Sequence, residues 1–273
     1  MMPRRGKLGR LFAGVALAAA AAFAAPAWAD NELDTYKKML ADPFANPGNL
    51  YVDEGEALWK KPAGPKNVSL EKCDLGLGAG VVKGAHAKMP RFFADAGRVM
   101  DTDTRIAWCR EQLQGIPFAD SAKTAFSARG KKSDMELLTT YVANQSAGMP
   151  LSPQLGHEKE KEALAIGEAL FFRRGSLLDY SCATCHAASD TRIRLQPLAH
   201  LTENKSAGKV VGGWPVYRVS QESVRAMQNR MWDCHWQMRY PSIDFGSEAT
   251  VALVMYLTKM GEGAPVTAPA LAR

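Results

Sequence analysis

A large surplus of charge of one sign is missing from this 273-residue chain. The formal balance is +6, but four of the 34 Lys and Arg and none of the 28 Asp and Glu fall in residues 1–29, so 34 less 4 against 28 leaves +2 for the rest. So small a surplus gives no motive for nucleic-acid binding. Long apolar runs are missing beyond residue 29, and no later segment is expected to span a bilayer. Further Cys and His at knuckle spacing are lacking, which argues against a zinc site. The absence of a βαβ pattern disfavours a thioredoxin-like redox pair. Sustained apolar alternation is also absent, so no large sheet is expected.

What stands at the front is Arg4, Arg5, Lys7 and Arg10, then LFAGVALAAAAAFAAPAWA with Ala27-Trp28-Ala29 as a small-residue cleavage site. Residues 1–29 read as a secretory signal peptide; 273 less 29 leaves a mature chain of 244 residues beginning at Asp30. The expected location is the periplasm, an oxidising compartment where thiols are normally paired. Five cysteines is an odd number there, and Cys234, inside NRMWDCHWQM, is the one in excess.

The chain contains one unit twice. EGEALWKKPAGPKNVSLEKC (54–73) matches IGEALFFRRGSLLDYSC (166–182), and TRIAWCREQL (104–113) matches NRMWDCHWQM (229–238), with Arg105/Cys109 and Arg230/Cys234 each four apart. Each unit then closes on a helix signal: a capping box at Ser133 and Glu136 in the first, a cap at Ser247 and a glycine stop in the second. Four matches in the same order argue for a duplicated domain. The boundary falls in GMPLSPQLGHEKEKE (148–162), giving domains at 30–149 and 150–273. Helices are expected over 31–41, 54–60, 91–99, 103–114, 133–145, 158–172, 221–238 and 248–260, with loops such as VVGGWPVYRVS (210–220) between them.

In the second copy the cysteine opens CATCH: Cys182, Cys185 and His186. Two thiols three positions apart add to the two vinyl groups of a haem, and the next residue supplies the proximal imidazole. Chance occurrence of C-x-x-C-H in this composition is roughly 0.002. One covalently attached haem c is therefore expected, and the fold class is mainly α, two tandem cytochrome c-like domains of which the first lacks haem. There the matching stretch is CDLGL (73–77), with Gly76 in place of the second thiol and Leu77 in place of the imidazole. Its cysteines, Cys73 and Cys109, could meet as a disulfide closing a loop of about 36 residues, worth about 3–4 kcal/mol on the chain-entropy account.

The iron needs a ligand opposite His186, and His200, Met227, Met231, Cys234, His235 and Met238 are candidates. Met ligation is the commonest arrangement. The methionines at 227, 231 and 238 share a helical face with Cys234, a spacing more often used for packing. Cys234 has the stronger claim, because a free thiol in an oxidising compartment is a liability unless something uses it. Arg230 lies one turn earlier on the same face, where it could stabilise a thiolate or hold an anionic substrate; a solvent-exposed arginine or a propionate partner is the plainer reading.

Together these features resemble SoxA, the haem-bearing subunit of the SoxAX cytochrome of bacterial thiosulfate oxidation. The resemblance covers essentially the whole mature chain. It implies that Cys182, Cys185 and His186 attach the haem, that Cys234 is both haem ligand and active-site sulfur, found as a persulfide in that family, and that Arg230 binds substrate. CDLGL departs from the two-haem form and looks like the single-haem variety, in which a Cys73–Cys109 disulfide replaces the first haem. The implied activity is that of an L-cysteine S-thiosulfotransferase: oxidative transfer of thiosulfate to a cysteine of the carrier SoxY in SoxYZ. The implied partner is a SoxX-like cytochrome in a heterodimer.

Overall fold

The computed structural model describes residues 45–193 and 196–272. The signal peptide and the helix expected over 31–41 lie outside them. The described residues from Asn46 onward form one compact unit, in which no described helix is long and apolar enough to cross a membrane.

In chain order the elements are α1 (Gly48–Lys60), the hairpin β1 (Arg91–Phe93) and β2 (Arg98–Met100), α2 (Thr102–Cys109), α3 (Phe118–Lys123), α4 (Asp134–Asn144), α5 (Glu158–Phe172), α6 (Cys182–His186), β3 (Arg192–Ile193), β4 (Gln196–Pro197), α7 (Asn204–Val211), β5 (Val216–Arg218), β6 (Ser223–Arg225), α8 (Met227–Gln237), α9 (Glu248–Met260) and β7 (Ala270–Ala272). Only small sheets accompany the helices, the largest ordered β6-β5-β7.

The two Gly-Glu-Ala-Leu segments do the same thing. Gly55 on α1 lies so close to α4 that a Cβ there would sit 2.1 Å from the Leu137 carbonyl oxygen. Gly167 on α5 lies so close to α9 that a Cβ would sit 2.0 Å from that of Ala252. Only glycine lets backbones cross at this distance. One turn on, the repeat's aromatic residue meets a tyrosine of the crossed helix: Trp59 against Tyr141 at 6.0 Å, and Phe171 against Tyr256 at 5.0 Å. Trp59 and Phe171 are 2 % and 1 % exposed and anchor separate apolar clusters. Burying an aromatic of this size is worth several kcal/mol.

The caps hold as the sequence pattern implies. Ser133 Oγ accepts from the Glu136 N–H at 3.1 Å while Glu136 Oε2 accepts from the Ser133 N–H at 3.2 Å. Ser247 Oγ accepts from the Thr250 N–H at 3.2 Å. At α5 the box is made by His157 and Glu160.

Elsewhere the expectations need correction. Residues 91–99 are a hairpin, not a helix: Gly97 turns at φ +64 and the pairing runs Arg91↔Met100, Phe92↔Val99, Phe93↔Arg98. The helix expected from 221 begins at 227, because Glu222 is left-handed at φ +54 and residues 223–225 pair with β5 inside the presumed loop 210–220. The helix expected over 54–60 starts at 48, and α3, α6 and α7 were not anticipated. Short helices held by tertiary contacts leave little periodicity to read.

Candidate active site

CATCH forms α6, a single turn capped by Ser181, whose Oγ accepts from the Thr184 N–H at 3.0 Å. It opens onto a cavity of about 1140 Å³, including space open to solvent, between α5, α6, α8 and α9. Cys182, Cys185 and His186 lie on one side; Met227, Arg230, Met231, Cys234 and Met238 come from α8; Phe171, Leu253 and Leu257 close the back. His186 Nδ1 lies 2.8 Å from the Ala199 carbonyl. A carbonyl only accepts, so the neutral imidazole carries its proton on Nδ1 and leaves Nε2 as the coordinating nitrogen. Burial, reinforced by the charge of Arg230, lowers the pKa of His186 and favours that neutral form.

The donor set, the apolar lining and the size of the cavity fit a covalently attached haem. Two thiols one turn apart flank an imidazole whose free nitrogen is fixed by its other hydrogen bond.

The candidates for the opposite side separate. His200 does not line the cavity, and its Nε2 pairs with Thr202 Oγ1 at 2.9 Å. His235 also lines the cavity; its Nδ1 lies 2.9 Å from the Pro241 carbonyl, which leaves Nε2 free as in His186, and its ring packs against Tyr240. Met227, Met231, Met238 and Cys234 all face the cavity. Burial pushes the Cys234 thiol up, against the downward pull of the Arg230 and Arg218 guanidiniums. A cationic metal would reverse that balance in favour of the thiolate. Arg230 Nη1 binds Asp233 Oδ2 at 2.6 Å within the same helix.

The helix carrying Arg230 and Cys234 is anchored on the first half of the chain. Gln228, fully buried, donates from Nε2 to Asp101 Oδ2 at 2.7 Å and to Thr104 Oγ1 at 3.0 Å, and its Oε1 accepts from the Gly246 N–H at 2.8 Å. Just before α8, Arg225 pairs with Glu136 Oε1 at 3.1 Å and also donates to the Ser127 carbonyl. Sequence reasoning missed Gln228 and Arg225, since a glutamine beside an apolar stripe and an arginine in a presumed helix carry no local signature.

Comparison with known proteins is consistent along nearly the whole chain. An L-cysteine S-thiosulfotransferase subunit SoxA from Hydrogenophilus thermoluteolus is 42% identical over 241 residues, covering 88% of this chain and 87% of that protein. The chain belongs to the SoxA family. A second SoxA, from Hydrogenobacter thermophilus, is 33% identical over 89% of this chain and 90% of its own length. The SoxA/TsdA cytochrome c domain model matches residues 54–151, the half that lacks C-x-x-C-H, so the haem motif stands outside the matched range. The crystal structure of SoxXA from P. pantotrophus superposes with a TM-score of 0.71 at 22% identity, covering 88% of this chain and 84% of that one. The fold is thus mainly helical and cytochrome c-like, and the cytochrome c character of the SoxA family implies haem c.

Proposed function

We propose that this chain is the thiosulfotransferase subunit of a periplasmic, SoxX-containing cytochrome, with one haem c attached at Cys182 and Cys185 in a domain spanning 150–273, and a haemless domain at 30–149. Its reaction joins thiosulfate to a carrier thiol: S₂O₃²⁻ + R–SH → R–S–S–SO₃⁻ + H⁺ + 2e⁻, with the carrier cysteine that of SoxY in SoxYZ. The observation that carries this reading is Cys234 facing Cys182, Cys185 and His186 in one cavity, with Arg230 beside it.

In the proposed sequence Cys182 and Cys185 would carry the haem and His186 and Cys234 would hold its iron. The haem, when bound, supplies the electron outlet to the partner cytochrome. Cys234 would react as a thiolate free of the metal, because a coordinated sulfur is a poor nucleophile. Its thiolate joins the outer sulfur of thiosulfate, held by Arg230, as two electrons depart, giving Cys234–S–S–SO₃⁻. The carrier thiolate then attacks the sulfur next to the sulfonate and displaces the Cys234 thiolate, the carrier's proton having passed to solvent. Cys234→Ala should abolish carrier conjugation, followed by mass spectrometry of SoxYZ, while leaving covalent haem in place; full activity in that variant refutes the reading.

Three methionines in the cavity support a second reading, an electron-transfer cytochrome with Met ligation. A long-wavelength Met–iron band in the visible spectrum would favour it, and absence of that band favours Cys234.

A further inference from the structure

We propose that Asp103 is a proton acceptor matched to electron entry at the haem: a buried carboxyl, in a chamber against the haem cavity, that gains a proton as the haem is reduced and gives it up on oxidation. The proposal rests on the haem attachment put forward above.

The chamber, about 460 Å³ including space open to solvent, is lined from both halves of the chain, and Val211, Trp214 and Met227 line it and the haem cavity alike. Its polar side is made by His86, Asp101, Thr102, Asp103, Thr139 and Thr258. Asp101 and Asp103 are 3 % and 6 % exposed, and among the described residues neither forms an ion pair. Two carboxylates at one buried chamber with no cation on either are costly to charge together, so the pair holds a proton.

Hydrogen bonding decides where that proton sits. Asp101 accepts from the Thr104 N–H at 2.9 Å and from Gln228 Nε2 at 2.7 Å, which favours its anion. Asp103 accepts from Thr139 Oγ1 at 2.7 Å and, among the described side chains, from no other donor. Burial raises both carboxyls, and the charge of Asp101 lifts Asp103 further, to about 8. The other groups facing it do not compete. Glu136 on α4 adds like charge but is matched by Arg225 just before α8. His86 is kept neutral by burial, which lowers it to about 4; its Nδ1 lies 2.7 Å from Thr102 Oγ1 and its other nitrogen donates to the Trp214 carbonyl. Thr258, from α9, carries no charge.

An electron added in the haem cavity acts on Asp103 across one layer of side chains, where little water screens it, and raises the carboxylate's proton affinity. The balanced step is Asp103–COO⁻ + H⁺ + e⁻ → Asp103–COOH, with the electron residing on the haem. In the proposed reaction that electron comes from the sulfur being oxidised and leaves to the partner cytochrome. The proton enters from solvent and returns to it.

The test is the haem midpoint potential of the loaded protein against pH, by spectroelectrochemistry. An anion at 103 favours the oxidised haem, so the potential should be level near about pH 6 and fall as pH rises through about 8. Asp103→Asn should match the unaltered protein near about pH 6 and lie above it near about pH 9, having lost that fall. Infrared difference spectra should show a protonated carboxyl band that appears on reduction and is missing from this variant. Thr139→Val removes a donor to the carboxylate, should move the fall to higher pH, and decides the matter if Asp103→Asn loads haem poorly. Asp120→Asn, at an exposed position, should follow the unaltered protein throughout. An equal fall in the unaltered protein and in Asp103→Asn would assign the proton to a haem carboxylate and overturn the proposal; so would a potential independent of pH. Failure of haem attachment reads out separately, by haem staining, and removes both readings. Failure to modify the carrier refutes the transfer chemistry alone, since the potential series still decides the role of Asp103.

Discussion

The two halves place cysteines at corresponding positions and use them in opposite ways. Cys73 and Cys109 are 1 % and 3 % exposed and joined as a disulfide, Cα atoms 5.7 Å apart, in the middle of a closed apolar cluster. Cys182 and Cys234 stand around a cavity of about 1140 Å³ instead. The local chain after the first cysteine decides which. CDLGL turns sharply, with Gly76 at φ +91 and Asp74 Oδ1 accepting from the N–H groups of Gly76 and Gly78 at 2.6 and 3.0 Å, whereas CATCH is helical and aims both thiols and the imidazole into open space. The paired arginines diverge likewise. Arg105 is buried and bidentate to Asp95 at 2.9 and 2.8 Å, its Nε bound to the Asp74 carbonyl; Arg230 remains at the cavity wall. The two Gly-Glu-Ala-Leu segments thus lie in a closed, cross-linked half and an open half. Each half's capping-box glutamate also reaches the other, Glu136 to Arg225 and Glu160 to the Phe92 N–H.

The contrast can be broken most severely in the open half. Cys182→Ala with Cys185→Ala should eliminate covalent haem, read by haem staining after denaturing electrophoresis. It should also destabilise that half by more than any single core truncation, since nothing else fills the cavity. In the closed half, Cys73→Ala with Cys109→Ala should cost about 3–4 kcal/mol by denaturant unfolding and leave haem content unchanged; mass analysis of the unaltered protein finding both as free thiols would remove the premise.

Gln228→Ala tests the joint between the halves. It strips Asp101 Oδ2 of its partner and should cost about 1–3 kcal/mol, while also altering the haem's ferric spectrum, because the α8 turn bearing Cys234 loses its anchor.

Smaller again is a pH effect. Burial, with the charge of Asp101, pushes Asp103 up to about 8. Between about pH 4 and 8 the unfolded chain releases a proton that the folded one keeps, so this group makes stability fall as pH rises. Burial lowers His86 to about 4, which makes stability fall as pH drops from about 6.5 towards 4. Of these two groups only Asp103 acts above pH 6.5, and Asp103→Asn should flatten the decline in Tm from pH 6.5 to 8. Smallest is a null result: Gly76→Cys with Leu77→His writes C-x-x-C-H into the first half but should add no haem, because position 76 stands at φ +91, which a cysteine rarely adopts, and Cys73 is already bound to Cys109.

Much of the frame was legible because its signals are local. Ser133 and Glu136 cap a helix by their own spacing, and the Gly-Glu-Ala-Leu repeat reports a close helix crossing in both halves. The hairpin at 91–100 was not legible: RFFADAGRVM offers helix-compatible residues, and only Gly97 hints at the turn. Gln228 and Asp101 lie 127 residues apart, and no window joins them.

By itself the sequence determined what covalent chemistry the chain can carry: a C-x-x-C-H of the kind that attaches haem, two cysteines in a stretch without that motif, and a fifth near an arginine. These are matters of bonding capacity and near-neighbour spacing. Tertiary structure decided which carboxylates Arg105 and Arg225 meet, which histidine leaves the cavity, and what holds α8 in place. Those outcomes depend on groups far apart in the chain competing for partners once water is excluded, where a buried charge or amide must find its complement.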